Sequence, residues 1–196
     1  MQINNLVLIT GASQGIGRAI ATRVIQDGYR VINLDKKAPK NLLEGETYHF
    51  VDLMDPQAIE ELIPKITKQE PILRLVNNAG FIRPGALENT TLDDFEAVMA
   101  LNLRAPMLLA QQLLPHMRQA KFGRIVSIAS RAALGKEERT VYAASKAGLV
   151  GMTKTWALEM AKFGITVNAI GPGPIATELF TSVSYTHLRA HETVLD

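Results

Sequence analysis

The sequence contains no cysteine. That excludes a disulfide framework, a thiolate metal site and a cysteine nucleophile, and it suits a reducing compartment. An excess of one charge is lacking as well: 21 lysines and arginines stand against 19 aspartates and glutamates, a net of +2. The basic residues are scattered rather than striped, so nothing points to nucleic acid as a partner. Met1 to Asn5 carry no basic n-region and lead straight into a short apolar run, Leu6 to Ile9, so no signal peptide is read. No stretch approaches the ~20 apolar residues of a membrane span. The expectation is a soluble cytoplasmic protein with no membrane partner. What the chain does have is apolar content, 47% over 196 residues, enough to bury the core of one domain.

Strand-like and helix-like segments alternate. Leu6 to Thr10, Tyr29 to Leu34, Thr47 to Val51, Leu73 to Val76, Gly123 to Ala129 and Ile165 to Ile170 read as six strands. Between them lie helical patterns. One opens after the first glycines and stops at Gly28. Another is capped by Asp55 with Pro56 at its first position, where a missing N–H costs little. A long one starts at the capping-box pattern Thr91-Leu92-Asp93-Asp94 and runs towards Met117, with interruptions expected at Pro106 and Pro115. The last spans Tyr142 to Ala161. Continuous apolar strands alternating with helices predict a three-layer, doubly wound parallel sheet covered on both faces, in one domain.

Thr10-Gly11-Ala12-Ser13-Gln14-Gly15-Ile16-Gly17 joins the first strand to the first helix. Glycines at such a turn let backbone approach a pyrophosphate, which then sits at the helix's positive end. The spacing G-x-x-x-G-x-G differs from the commonest dinucleotide fingerprint, and alone it is also compatible with a plain tight turn. The second strand ends at Asp35, whose carboxylate suits the ribose hydroxyls of adenosine and repels a 2′-phosphate. NAD is therefore favoured over NADP, with Lys36 and Lys37 beside the acid partly offsetting the repulsion.

Tyr142 and Lys146 stand four apart, on one helical face. A tyrosine with a pKa near ~10 is a poor proton shuttle at neutral pH unless a neighbouring cation favours its phenolate. By itself this pair is also what an ordinary helix surface shows.

Together, these motifs resemble the short-chain dehydrogenase/reductase family over about residues 5 to 180. The residues that carry the resemblance occur in order: the glycine loop, Asp52, Asn77-Asn78-Ala79-Gly80, Asn102, Ser130, Tyr142 with Lys146, and Pro172-Gly173-Pro174-Ile175-Ala176-Thr177. The general look is that of 3-oxoacyl-carrier-protein reductases and polyol dehydrogenases. The resemblance implies a Rossmann fold and an NAD(P)-dependent oxidoreductase moving a hydride between nicotinamide and a small-molecule ketone or secondary alcohol. It implies Tyr142 as general acid/base, Ser130 on the substrate oxygen, Lys146 on the nicotinamide ribose and Asn102 holding a water on the proton's way out. Gly11, Ser13, Gln14, Gly15, Ile16, Gly17 and Asp35 would bind the cofactor. So would Asp52 and Leu53 at the adenine, Asn78, Ala79 and Gly80 along its length, and Pro172, Gly173, Ile175 and Thr177 at the carboxamide. Ser127 is the rival serine, but strand alternation turns it away from the face of Ser130. A homodimer or homotetramer is implied in the full-length form. Phe81, Ile82, Arg83, Arg131, Ala132, Ala133, Leu134 and Gly135 are expected near the substrate, while Lys136-Glu137-Glu138-Arg139 reads as a solvated loop.

Residues 184–196 resemble neither the lid nor the final strand of that family. They read as a non-native tail on a domain spanning 1–183, with the last strand and lid missing, the sixth strand left as an open edge and activity expected to be poor. The alternative functions are a catalytically silent NAD(P)-binding sensor and a non-functional truncated fragment. The four histidines, including His187 and His191, form no convincing metal site.

Overall fold

The computed structural model describes residues 3–175. The expected tail, Thr177, and the His187 and His191 pair lie outside that range. Six strands form one sheet: β1 (Leu6–Thr10), β2 (Arg30–Asp35), β3 (Glu46–Phe50), β4 (Arg74–Asn77), β5 (Gly123–Ile128) and β6 (Ile165–Ile170). All pairings are parallel, in the order β3-β2-β1-β4-β5-β6. The order reverses between β1 and β4, where ligand crevices form at the carboxyl ends of such sheets.

Both faces of β1 are buried, which is why its sequence is continuously apolar rather than alternating. Val7 and Ile9 pack with Val31 and Ala21 under helix α1 (Gly15–Gln26). Leu6 and Leu8 face the opposite way, into the larger core with Leu34, Leu75 and Ile125. Helices α2 (Pro56–Thr67) and α4 (Ala105–Ala120) cover that core. Each fully buried Leu or Ile there stabilises the fold by about 1.5–3 kcal/mol. Helix α5 (Thr140–Met160) sends Met160 and Trp156 into the same core, so both are packing residues.

Local signals account for the helix ends. Asp55 accepts from Gln57 N at 2.9 Å and Pro56 opens α2. Thr91 accepts from Asp94 N at 3.1 Å and starts α3 (Leu92–Met99). The long helix expected from Thr91 is divided, though not by a kink at Pro115, which sits inside α4. A wide π turn, Ala100–Arg104, separates α3 from α4. Pro106 has no N–H to give the carbonyl of Asn102 four residues earlier, so ordinary i→i+4 pairing is lost at that carbonyl.

Candidate active site

A cleft of about 1060 Å³ opens over the carboxyl ends of β1, β2, β4 and β5. One end is built by the glycine turn. Gly11 has φ +68°, and a side chain on Gly17 would strike the carbonyl of Gly11 and the amide of Asn78. Asn78 Nδ2 donates to Thr10 O (2.9 Å) and Gly11 O (3.1 Å), pinning the turn to β4. No side chain caps α1 at Gln14, and Gly15 and Ile16 line the cleft, so first-turn amides are left for an anion.

The turn is held from behind by a buried polar chain. The Glu46 side chain is 0% exposed. It accepts from Arg18 (2.7 Å), Asn33 Nδ2 (2.9 Å) and Leu43 N (2.9 Å). Asn33 in turn accepts from Ala12 N at 3.1 Å and donates to Ser13 Oγ at 3.1 Å. Asp35 closes the same end. Its carboxylate accepts from Ser13 N and Lys37 N, both at 3.1 Å, and it lines the cleft. Lys36 pairs with Asp52 at 2.6 Å, and this contact holds the Asp52 carboxyl below its ordinary value. Leu34, Val51 and Leu53 supply an apolar floor.

The other end carries Ser130, Tyr142 and Lys146. Ser130 follows β5 and its Oγ accepts from Ala132 N at 3.1 Å, starting a short 3₁₀ turn, Arg131–Leu134. Tyr142 and Lys146 are one turn apart on α5. Lys146 is buried and donates to Ile128 O at 2.7 Å, and burial lowers its ammonium to about 8. The Tyr142 phenol is pushed up by burial, against smaller lowering effects of the Ser130 hydroxyl and Arg139. Desolvation dominates, and Lys146 is not among the groups that lower this phenol, its ammonium being engaged with the Ile128 carbonyl.

Asn102 lies behind this group, buried on the π turn. Its amide pairs twice with the backbone of Phe81, accepting from N and donating to O, both at 3.0 Å. It also donates to Ser145 Oγ at 3.1 Å. Both amide protons are thus committed, and Asn102 is not on the cleft wall.

The cleft brings together most of the residues expected there. Gly11, Gln14, Gly15, Ile16, Asp35, Asp52, Leu53, Asn78, Ala79, Gly80, Ser130, Tyr142, Lys146, Pro172, Gly173 and Ile175 all line it. Ser13 and Gly17 do not, because one is tied to Asp35 and Lys37 and the other is packed under Gly11. Ser127 is fully buried, accepting from Asn77 Nδ2 at 3.3 Å, so Ser130 is the serine that reaches the cleft. Of the eight residues expected near a substrate, Ile82, Arg131, Ala132, Leu134 and Gly135 line the wall, whereas Phe81, Arg83 and Ala133 do not. Lys136, Glu137 and Glu138 are exposed, as a solvated loop requires, while Lys136 and the half-buried Arg139 also border the cleft. Leu34, Val51 and Ile128 were missed as lining residues. Their positions at strand carboxyl ends were the available signal.

The model of the short chain dehydrogenase family matches residues 5–187. The chain belongs to that family. This short-chain dehydrogenase is 37% identical to the (2S)-[(R)-hydroxy(phenyl)methyl]succinyl-CoA dehydrogenase subunit BbsD of Thauera aromatica, over 90% of this chain and 75% of the relative. It is 37% identical to the 3-oxoacyl-[acyl-carrier-protein] reductase FabG of Thermotoga maritima, over 96% of this chain and 80% of the relative. Among solved structures, ElxO with NADP bound superposes with a TM-score of 0.85 at 30% identity, over 92% of this chain and 77% of that one. 4-Hydroxyisoleucine dehydrogenase complexed with NADH gives 0.84 at 34% identity, over 91% and 79%. The dehydrogenase is thus an NAD(P)-dependent oxidoreductase acting on CH–OH and C=O groups. The uncapped start of α1, the glycine contact that admits no side chain and the flanking acids Asp35 and Asp52 fit a dinucleotide.

Proposed function

We propose that this short-chain dehydrogenase interconverts a ketone and a secondary alcohol, with the Tyr142 hydroxyl as general acid and base. The observation that carries this reading is the convergence of Ser130, Tyr142 and Lys146 on one wall of the cleft, beside a turn suited to a diphosphate. The nicotinamide, when bound, supplies or accepts the hydride. The Ser130 hydroxyl donates to the substrate oxygen, stabilising charge that develops there. Tyr142 gives its phenolic proton to that oxygen in reduction and takes it back in oxidation. Lys146 holds the nicotinamide ribose and favours phenolate when its ammonium turns from Ile128 O. Asn102 holds the exit water with its main-chain carbonyl, the one that Pro106 deprives of its α-helical donor.

Gly11, Gln14, Gly15 and Ile16 would hold the diphosphate, with Ser13 and Gly17 shaping the turn from behind. Asp52 and Leu53 would hold the adenine, and Asn78, Ala79 and Gly80 the middle of the cofactor. Pro172, Gly173, Ile175 and Thr177 would hold its carboxamide end. Asp35 would hold the adenosine ribose, favouring NAD over NADP. Residues 1–183 are read as the dinucleotide-binding catalytic domain, and the cytoplasm as its location. Assembly as a homodimer or homotetramer is supported by an apolar groove among Phe95, Met99, Leu103, Met107 and Met152 on α3, the π turn, α4 and α5.

The test is Tyr142→Phe. Turnover of ketones should fall ~10²–10⁴-fold, while NADH binding, followed by fluorescence, is retained. Undiminished turnover would rule Tyr142 out.

A further inference from the structure

The two ends of the cleft differ in charge. Asp35 and Asp52, the only carboxylates on its wall among the described residues, are both at the adenosine end. Beside Ser130, Tyr142 and Lys146 the wall carries three further cations: Arg131, Lys136 and Arg139. None of the three forms an ion pair among the described residues. Lys136 and Arg139 come from a loop that also contains Glu137 and Glu138, yet only the cations reach the wall. The loop's placement is fixed by backbone: Gly85 N donates to Glu138 O at 3.0 Å, and Gly85 bridges to Arg139.

Arg139 is also a poor choice for its place in the helix. It is the residue that caps the 21-residue α5, it makes no side-chain cap bond, and the first turn contains no acid. A cation there adds to the positive end of the helix dipole, where a carboxylate or hydroxyl would stabilise the helix. One nitrogen of its guanidinium donates to the carbonyl of Glu138 at 2.9 Å, and the rest of the fork has no acidic partner among the described residues, a local rule broken as binding sites break it. With Arg131 and Lys136 on the same wall, the Arg139 guanidinium offers a fork that matches an oxyanion. Arg139 stands near enough to the reacting groups to lower the Tyr142 phenol a little against the upward push of burial. Ile82 and Leu134, the latter 93% exposed, give the same end an apolar side.

We propose that the substrate is a short carbonyl or alcohol compound bearing an oxyanion, a carboxylate or a phosphate. That anion sits on Arg139, with Lys136 and Arg131 beside it, while the carbonyl reaches Ser130 and Tyr142. The proposal rests on the reading of Ser130 and Tyr142 as the groups that meet the reacting oxygen. Arginine gives a planar fork that matches either oxyanion, so lysine at 139 is not an equivalent.

Matched pairs test it on the full chain. Acetoacetate is compared with methyl acetoacetate, and dihydroxyacetone phosphate with dihydroxyacetone, each with NADH and NADPH. The anionic member of at least one pair should show the higher kcat/KM, and which pair responds separates carboxylate from phosphate. Arg139→Gln should collapse that ratio on the order of 10- to 100-fold, the effect of a lost hydrogen bond to a charged group. Arg139→Lys should restore it only in part. Glu137→Gln, off the wall, should leave the ratio as it was. Added salt should lower the anion's kcat/KM more than the neutral compound's. Neutral members preferred in both pairs, or an Arg139→Gln effect equal on both members, would overturn the proposal. Calorimetric titration of the same four compounds reads the anion site without turnover. Anion binding lost in Arg139→Gln supports it even if Tyr142 proves idle, and equal binding of anion and neutral compound sinks it even if Tyr142 proves catalytic.

Discussion

Lys146 Nζ stands 5.7 Å from the centroid of the Tyr142 ring and gives its 2.7 Å hydrogen bond to the carbonyl of Ile128. The ammonium is therefore held by the end of β5, in a place where losing its charge is favoured.

That burial gives stability a pH dependence. Lys146 releases its proton at about 8 in the folded chain, against 10.5 for an ordinary lysine. Between these values the unfolded state binds more protons, so stability rises with pH, by up to about 3 kcal/mol over the window. Above pH ~10 the raised Tyr142 phenol acts the other way, because the unfolded tyrosine ionises first. Urea unfolding at pH 7.5, 8.5 and 9.5 should show the rise in the parent chain and not in Lys146→Met. Parallel slopes for the two would mean the ammonium does not titrate there.

Gly80 is a lever on the same group. A side-chain carbon there would lie 3.0 Å from Asn102 Oδ1 and 3.4 Å from Lys146 Nζ. Gly80→Ala should lower kcat while KM for the cofactor changes less, because the crowding falls on Asn102 and Lys146 rather than on the glycine turn. A parental kcat would show that neither neighbour has to keep its place.

Glu46 should matter to cofactor binding although it never lines the cleft. Glu46→Ala leaves Arg18 and Asn33 without their buried acceptor, a loss of the kind that costs about 3–5 kcal/mol. The milder Glu46→Gln should raise KM for NAD(H) several-fold at unchanged kcat, since Asn33 would hold Ala12 and Ser13 less firmly. An unchanged KM would confine Glu46 to stability.

Asp35 is the selector in the proposed cofactor preference. Asp35→Ser should shift the ratio of kcat/KM for NADPH over NADH upward by roughly tenfold, as repulsion of a 2′-phosphate is removed. Lys36→Met in that background should undo part of the gain. A ratio insensitive to residue 35 would place selectivity elsewhere.

Much of this was legible in the chain. Six strands were located within a residue or two, most plainly β1, where burial on both faces leaves the unbroken run Leu6 to Ile9, and least plainly the edge strand β3, Glu46-Thr47-Tyr48-His49-Phe50, which has no fully buried residue. The starts of α2 and α3 follow from Asp55-Pro56 and Thr91, whose side chains act within three residues of themselves. What was not legible depends on contacts distant in sequence. The π turn at Ala100–Arg104 has ordinary helical composition, and only Pro106 hints at it. Asn33 and Glu46 belong to no motif and meet because β2 and β3 pair. Lys136 and Arg139 look solvated in sequence, and it takes the bridge to Gly85 to show that both border the cleft.

The reversal of strand order between β1 and β4 has a practical meaning. Everything proposed to choose the cofactor, from Gly11 to Leu53, comes from the strands on one side of that line. Everything proposed to handle the carbonyl, from Ser130 to Tyr142, comes from the other, which also carries the residues proposed for the nicotinamide half. Cofactor preference and substrate preference are therefore separable engineering problems, open to libraries built on different stretches of the gene and recombined at the Glu70 to Leu73 connection.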